Sequence, residues 1–467
     1  MTAERDAPVR SPARPLAGAA VAVYLLVVAG ATAAVADAAA ACGTWPTCRG
    51  AALSDPALLV AWGHRLAAVV AGVLVAAGAI LAWRRGSKPR VRAAVTAALV
   101  LYPVQVGIGA LAATRGAPVD LAGAHLGVGV TIFAGTLLAL AWQLEDETAG
   151  AHDPLDAPAP GEVSPPADDG SAPSTTGGLA ATAVAYVRLT KPRLWWLLCM
   201  VAAAAMALAG QAVGQPPALS TVGLTLGGGV LAIAASGTFN HVLERDVDRR
   251  MQRTADRPLA TDEVGVRNAT AFGVVLTAAS LALFLEVNAL AAGLGLTAVL
   301  FYSVVYTLVL KPNTVQNTVI GGAAGALPAL IGWAAVTGSV GLPGLVLAGV
   351  IFLWTPAHFY NLAMAHSEDY ARGEFPMLPV VRGSAVARKH VLLYLGATLA
   401  SAAVLTWLVD LGALYALATV GLGSVFLWAV LRLHRERTEA AAMRAFHASN
   451  AYLGGLLLAV VVDALAL

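Results

Sequence analysis

Long apolar runs constrain the fold of this 467-residue chain more than any other feature. About 20 apolar residues are needed for a helix to cross the core of a bilayer. Runs of roughly that length lie at about residues 16–41, 57–82, 93–113, 121–142, 194–212, 219–240, 268–286, 289–309, 318–337, 342–363, 390–409, 411–432 and 449–467. The chain is 58% hydrophobic and 12% charged, with a mean hydropathy of +0.74, which excludes an ordinary soluble domain. The sequence therefore predicts an all-α, polytopic membrane protein with thirteen spans.

Residues 143–178 interrupt the apolar pattern. They contain eight Asp and Glu residues among Pro, Gly, Ser and Thr, and no Lys or Arg. This composition is typical of a solvated, disordered linker. We therefore predict a four-helix unit at 1–142, a linker at 143–178 and a nine-helix unit at 179–467.

Basic residues predict the orientation in the membrane. They cluster in the loops at 84–92, 245–257, 372–389 and 432–437, and such loops remain on the cytoplasmic side. The N-terminus and the linker are then cytoplasmic, and the C-terminus lies outside the cell membrane. The first apolar run is too long for a cleaved signal peptide. A net charge of +2, segregated into loops, gives no indication of a nucleic-acid partner.

The end of the sixth apolar run carries the most informative polar pattern. Asn240, Glu244 and Asp248 are spaced i, i+4, i+8, so a helix presents all three on one face. Carboxylate and amide oxygens suit a hard cation such as Mg²⁺, which also binds substrate phosphates. Arginines surround the three residues at positions 245, 249, 250, 253 and 257. A solvated cytoplasmic loop would explain these arginines but not the row of oxygens.

Four ordered motifs resemble those of a known family. Asn240-x3-Glu-x-Asp-x-Asp248, followed by Met-x-Arg-Thr-x2-Arg-Pro-Leu, is similar to the first polyprenyl-diphosphate motif of UbiA-type intramembrane prenyltransferases, in the form that acts on protohaem IX (haem B). The resemblance covers about residues 180–467. The later motifs are Tyr306-Thr-x3-Lys311 leading to Asn317–Pro328 and Gly332-Trp333, then Trp354-x-Pro356-x-His358, then Glu368-Asp369-Tyr370 with Pro376-Met-Leu-Pro379.

The resemblance implies a reaction and a set of site residues. A farnesyl group would pass from farnesyl diphosphate to a vinyl group of haem B, giving haem O for terminal oxidases. Asn240, Glu244, Asp248 and Asp369 would be catalytic, and together with Glu368 they would hold Mg²⁺. The implied diphosphate contacts are Arg249, Arg253, Arg257 and Lys311. His358 would contact haem or bond a neighbouring helix. By their positions in loops or at helix ends, His241, His434 and His447 are expected to be exposed.

The first unit carries a different set of residues. Cys42 and Cys48 lie in a predicted outer loop, where the spacing permits a disulfide bridge. His64 and His125 open the second and fourth helices at similar depth, so they could ligate one haem iron or form polar contacts within the bundle. Together these elements resemble the first half of haem A synthase. The carboxylate usually found before His64-Arg65 is absent, so haem binding or a remnant is expected rather than oxidation of a haem methyl group.

Other functional classes stay open. The same chemistry would serve a prenyltransferase that acts on a quinone or lipid acceptor, although the Gly-Gly-Ala-Ala and Pro-Met-Leu-Pro motifs favour haem. A haem carrier or assembly factor for an oxidase would leave the diphosphate motif unexplained. Partners would include a haem A synthase or a terminal oxidase. The linker supplies no ligand in this scheme, so a protein that begins near Gly177 is expected to keep farnesyl transfer.

Overall fold

The computed structural model describes residues 11–35, 44–47, 56–115, 118–148, 153–158, 178–409 and 411–466. In these ranges the regular secondary structure is helical and contains no strand. Thirteen of the described helices are long and apolar enough to span a membrane, which confirms the all-α membrane fold. The chain divides into two compact units, Met1–Ala151 and His152–Leu467.

The first unit is a bundle of long helices. α1 packs against α2 and α4, and α3 packs against α4. The Arg65 guanidinium in α2 donates hydrogen bonds of 3.0 Å to the carbonyls of Thr44 and Pro46 and so holds the described part of the first loop. Cys42 and Cys48 lie outside the described residues, so their bridge stays a prediction. The helices are α1 (Ala13–Val35), α2 (Pro56–Arg84), α3 (Pro89–Arg115) and α4 (Val119–Thr148).

The second unit is built around two adjacent helices, α11 and α12. α11 packs against α6 and α12, while α12 also packs against α15 and α17. A π-helix at Phe301–Leu310 continues α9, and a 3₁₀ turn at Pro192–Leu194 precedes α6. The helices are α5 (Leu179–Leu189), α6 (Trp195–Val213), α7 (Leu219–Asp248), α8 (Val266–Leu285), α9 (Ala289–Leu300), α10 (Lys311–Asn313), α11 (Asn317–Thr337), α12 (Leu342–Ala365), α13 (Ser367–Arg372), α14 (Leu378–Arg382), α15 (Ser384–Leu408), α16 (Ala413–Glu436) and α17 (Glu439–Ala466).

Small residues allow α11 to approach its neighbours closely. A Cβ atom at Gly332 would lie 2.3 Å from the Ala202 carbonyl oxygen of α6, and one at Gly322 would lie 3.1 Å from the Phe352 oxygen of α12. Helices packed in lipid gain stability from such close backbone contact, because lipid chains are as apolar as the side chains they replace. These glycines therefore fix the helix crossings that surround the site.

The segment predicted as a linker is partly structured. α4 continues to Thr148, because Asp146 pairs with Lys88 at 2.8 Å and both Glu145 and Asp146 contact Arg90. Residues 153–158 are also described, and both Asp153 and Leu155 are buried. The structure thus differs from the prediction of a disordered 143–178 at these two stretches. Composition alone does not reveal that an acid has a basic partner elsewhere in the chain.

Candidate active site

The predicted row of oxygens lies near the C-terminal end of α7. Asn240, Glu244 and Asp248 are only 2%, 5% and 2% exposed. Burial of a carboxylate is costly unless a cation or several hydrogen bonds accompany it. The charge of Glu244 and Asp248 must therefore be offset by neighbouring cations or hydrogen-bond donors.

Each of the three side chains has a basic partner. Lys311 Nζ lies 2.6 Å from Glu244 Oε1, and Arg257 Nη1 lies 2.8 Å from both oxygens of Asp248. Asn240 accepts a hydrogen bond from Lys191 Nζ at Oδ1. Three basic side chains from separate parts of the second unit thus converge on one face of α7. When these side chains are released from their present partners, they can bind a polyanionic ligand.

The second acidic motif meets the first. Asp369 accepts hydrogen bonds of 3.0 Å from the backbone N–H groups of Gln252 and Arg253, which follow α7 directly. Arg372 adds an ion pair to the same carboxylate at 3.0 Å. Glu368 also pairs with Arg372, but its side chain is 53% exposed. Asp369 therefore belongs to the buried site, whereas Glu368 lies at its edge.

A change of helix type positions Lys311. The π-helix before it brings Thr307 Oγ1 to 2.9 Å from the Tyr302 carbonyl and to 3.2 Å from Asn240 Nδ2. π-Helical segments occur frequently at functional sites. Lys311 Nζ also lies 4.2 Å from the centre of the Phe375 ring. The ammonium group is thus held between Glu244 and an aromatic face.

Lys191 is a site residue that the sequence reasoning missed. It has a left-handed backbone conformation, φ 51°, which directs the chain from α5 into the 3₁₀ turn. Its Nζ lies 3.4 Å from the Tyr302 hydroxyl as well as against Asn240. Burial, followed by repulsion from Arg257, lowers the pKa of Lys191 to about 7, although Glu244 acts in the opposite direction. The only sequence signal was a Lys-Pro pair immediately before an apolar run.

An apolar cavity of about 280 Å³ opens beside these charges. Side chains of Leu198, Ile233 and Pro328 line its walls, and Lys191 and Tyr302 contribute polar groups. Its lining comes from α6, α7, α11, α12 and the α9 region. A ligand with a charged head and a hydrocarbon tail matches this combination of polar groups and apolar wall.

Two of the predicted diphosphate arginines have different surroundings. Arg253 Nη2 lies 3.4 Å from the Tyr370 hydroxyl, and its guanidinium lies 5.8 Å from the centre of that ring. Burial raises the pKa of Tyr370, so its phenol stays protonated. Arg249 instead bonds the Ala260 carbonyl at 2.8 Å and the Asp262 carboxylate at 2.7 Å. Arg253 thus lies next to the site, whereas Arg249 stabilises the following loop.

The histidines of the second unit are packed more tightly than the sequence suggested. His358 stacks between Trp354 and Phe446, with both centroid distances at 4.3 Å, and its Nδ1 lies 2.7 Å from Ser449 Oγ. Any contact with haem would have to use its Nε2. His241 and His434 are each only 4% exposed, so the expectation that they are exposed is wrong, whereas His447 is exposed as expected.

The chemistry of the donor set fits Mg²⁺. The side chains of Asn240, Glu244, Asp248 and Asp369 offer amide and carboxylate oxygens, the ligands that this ion prefers. In the described part of the chain, no three His, Cys, Asp or Glu residues already form a group suited to a metal. Ammonium, guanidinium and N–H groups occupy the oxygens instead. A hard cation can replace these donors, which are then released to a diphosphate.

The first unit contains a second candidate site. The rings of His64 and His125 have centroids 6.5 Å apart, and both Nδ1 atoms are buried with no hydrogen-bond partner among the described residues. Gly30 and Gly109 face the two rings, where a Cβ atom would come within 3.0 and 2.9 Å of a ring carbon. The two glycines thus leave room for the imidazole rings to pack closely against the helix backbones.

Comparison with known proteins identifies the second unit. The model of the UbiA prenyltransferase family matches residues 197–454. The chain is 62% identical over 459 residues to a protein of Haloarcula marismortui named protoheme IX farnesyltransferase, covering 97% of this chain and 98% of that one.

More distant relatives extend this finding. A protoheme IX farnesyltransferase 1 of Saccharopolyspora erythraea is 44% identical over 309 residues, which is 64% of this chain and 96% of that protein. A solved structure of digeranylgeranylglyceryl phosphate synthase shares the fold at a TM-score of 0.52 and 17% identity, covering 61% of this chain and 99% of that one. The chain belongs to the UbiA prenyltransferase family.

Proposed function

We propose that this chain transfers the farnesyl group of farnesyl diphosphate to a vinyl group of protohaem IX, giving haem O. The observation that carries the proposal is the junction of an apolar cavity with three cation-held oxygen side chains, at Asn240, Glu244 and Asp248. Such a site suits a diphosphate attached to a hydrocarbon tail. The acceptor is inferred from the Haloarcula relative, whose name specifies protohaem and farnesyl.

The basic residues would act on the diphosphate. Lys191, Arg257 and Lys311 already contact the oxygens that Mg²⁺ would take over, and Arg253 lies next to the same site. Bound Mg²⁺, held by Asn240, Glu244, Asp248 and Asp369, would supply charge neutralisation for the leaving group. Positive groups placed where negative charge develops lower the barrier to its departure.

The reaction needs no protein nucleophile. Cleavage of the farnesyl C–O bond releases pyrophosphate and leaves an allylic cation, which a vinyl carbon of haem B attacks to form a C–C bond. Water then adds to the porphyrin-stabilised cation and loses a proton, which leaves a hydroxyethylfarnesyl group. The protein must hold the diphosphate and exclude water until the C–C bond forms. The apolar walls around Leu198, Ile233 and Pro328 suit this requirement.

Product analysis tests the proposal. The purified protein, with haem B, farnesyl diphosphate and Mg²⁺, is expected to yield a porphyrin whose mass has increased by one farnesyl group and one hydroxyl group. A parallel reaction offers an aromatic quinone precursor in place of haem. Prenylation of the precursor with unchanged haem would instead support a quinone prenyltransferase, and haem binding without pyrophosphate release would support a carrier.

We also propose an orientation for this multi-pass membrane protein. The basic loops, including the one that carries Arg253 and Arg257, are assigned to the cytoplasm by the positive-inside rule. The N-terminus is then cytoplasmic, the C-terminus lies outside the cell membrane, and farnesyl diphosphate is drawn from the cytoplasmic side. A haem A synthase or a terminal oxidase would take the product.

A second role, haem binding, is proposed for the first unit. His64 and His125 would supply two imidazole nitrogens to hold a haem iron, a ligand type that haem proteins use. Support comes from their ring centroids, which lie 6.5 Å apart, and from their buried Nδ1 atoms, which have no hydrogen-bond partner among the described residues. The Saccharopolyspora relative matches only 64% of this chain, which supports a role for the first unit outside prenyl transfer.

A further inference from the structure

A four-residue acidic segment outside the helices has a defined place in the second unit. This segment, Asp153-Pro-Leu-Asp156, is called the clip below. Asp153 is 3% exposed and Leu155 is 2% exposed. Its residues contact the start of α15, a region that the proposed reaction does not use.

The first contact is an ion pair without access to water. Arg388, in the second turn of α15, is 0% exposed, and its Nη1 lies 2.6 Å from Asp153 Oδ2. Among the described residues, none of the three guanidinium nitrogens of Arg388 has a well-aligned hydrogen-bond partner, so Asp153 acts on this group through its charge. Asp153 is thus the carboxylate that offsets a buried guanidinium charge. Removal of one member of such a pair leaves the other charge buried, which destabilises a fold strongly.

The second contact is at the N-terminus of α15. Asp156 Oδ1 accepts a hydrogen bond of 2.7 Å from the Ser384 N–H, and the Leu155 carbonyl accepts one of 2.8 Å from Ser384 Oγ. The first N–H groups of a helix have no partner within the helix and attract negative charge. Asp153 also accepts a bond of 3.2 Å from the Leu155 N–H, which turns the clip so that both acids face α15.

We propose that the clip is an internal peptide ligand of the prenyltransferase unit, docked in a carboxylate-binding site formed by Arg388 and Ser384. The unit therefore starts at the clip, not near residue 178. A consequence concerns the active site, because Ser384 follows α14, and α14 follows Phe375, whose ring lies against Lys311. Docking of the clip at Ser384 therefore fixes the C-terminal end of the segment 375–384, whose Phe375 ring lies against Lys311.

Substitutions in the full-length protein test the docking site. We expect Asp153→Ala to lower the temperature of half-inactivation by about 5 °C or more, since the Arg388 charge stays buried without a counter-ion. The double variant Asp153→Leu with Arg388→Met removes both charges and should recover at least half of that shift. Glu286→Gln, at an exposed carboxylate after α8, is the control and should not shift it.

A second measurement applies if Arg388 variants fail to fold. Asp156→Ala removes an exposed side chain and should accelerate hydrogen exchange at the Ser384 amide several-fold, with α16 and α17 unchanged. An Asp153→Ala protein that matches Glu286→Gln, together with unchanged exchange at Ser384, would overturn the proposal. So would additive losses in the double variant, because they would show that Asp153 and Arg388 do not interact.

Discussion

The acidic end of α7 and the histidine pair of the first unit satisfy their buried polar groups in opposite ways. Glu244 and Asp248 each have a basic partner within 2.8 Å. Among the described residues, the buried Nδ1 atoms of His64 and His125 have no hydrogen-bond partner, although His125 Nε2 lies 3.4 Å from Gln105 Nε2. The carboxylates of the first site are thus neutralised by basic side chains, whereas the described residues leave the two Nδ1 atoms of the second site without a hydrogen bond.

Because only the α7 site has protein partners for its buried charges, the two sites should respond differently to a ligand. At α7, a metal and a diphosphate must exchange partners with the protein, so every acid and cation there should affect turnover. At the histidine pair, a ligand bound through the two Nδ1 atoms would add bonds without displacing any, because the contact with Gln105 uses Nε2 of His125. Substitutions at one site should therefore leave the function of the other unchanged.

The largest effect is expected at the acids of α7. Glu244→Gln or Asp248→Asn should reduce kcat for farnesyl transfer by about 100-fold to 1000-fold, because a preorganised charge is lost where the leaving group forms. The matched control is Asp256→Asn, whose side chain is 80% exposed and pairs with Arg188. Full turnover in both acid variants, measured as pyrophosphate release, would show that Glu244 and Asp248 are not active-site residues.

The histidine pair provides the reciprocal test. If His64 and His125 hold one haem, the full-length protein should show a low-spin haem spectrum that is lost in His64→Ala and in His125→Ala. Farnesyl transfer should change by less than about twofold in both. If the haem spectrum is unchanged in both variants, His64 and His125 are packing residues and not haem ligands. If farnesyl transfer is lost together with the spectrum, the two sites are not independent.

Lys191 gives a smaller effect that depends on pH. Its pKa of about 7 means that the side chain is charged below pH 7 and largely neutral above it. A bound diphosphate favours the charged form, so binding above pH 7 requires uptake of a proton. We expect KM for farnesyl diphosphate to rise several-fold from pH 6.5 to 8.5, and Lys191→Met to have a high KM with a flatter profile. An identical pH profile in wild type and variant would show that Lys191 does not contact the diphosphate.

The smallest effect concerns where the second unit begins. The sequence led us to expect that a protein starting near Gly177 keeps farnesyl transfer. The clip changes this expectation, since such a protein lacks the counter-ion of Arg388. A protein that starts at His152 should keep activity to a temperature about 5 °C higher than one that starts at Gly177. Equal inactivation temperatures would show that the clip adds no stability.

Spacing along one helix was enough to predict that three side chains of the candidate site share one helix face. Asn240, Glu244 and Asp248 are buried together because a helix repeats at about four residues. Asp369 came from the resemblance, and its contact with the backbone of Gln252 and Arg253 was not visible in either motif.

Other features depend on contacts between distant residues. Lys191 reaches Asn240 only through a left-handed turn, and Arg249 bonds the Ala260 loop rather than the site. The ion pair between Asp153 and Arg388 joins residues more than 200 positions apart. The composition of residues 143–178 predicted that Asp153 lies in a disordered linker. A single ion pair with a distant arginine produces no periodic pattern in the sequence, so it could not be predicted.

Pyrophosphate release shows whether the acids of α7 serve farnesyl transfer. Full-length protein is incubated with Mg²⁺ and farnesyl diphosphate, with and without haem B, and pyrophosphate and farnesylated porphyrin are measured in the same reaction. We predict one pyrophosphate released for each haem farnesylated, little release without haem, and formation of both products at least about 100-fold slower in Asp248→Asn. Binding of haem with no pyrophosphate release, or release that does not depend on Asp248, would contradict the assignment of the α7 site to farnesyl transfer.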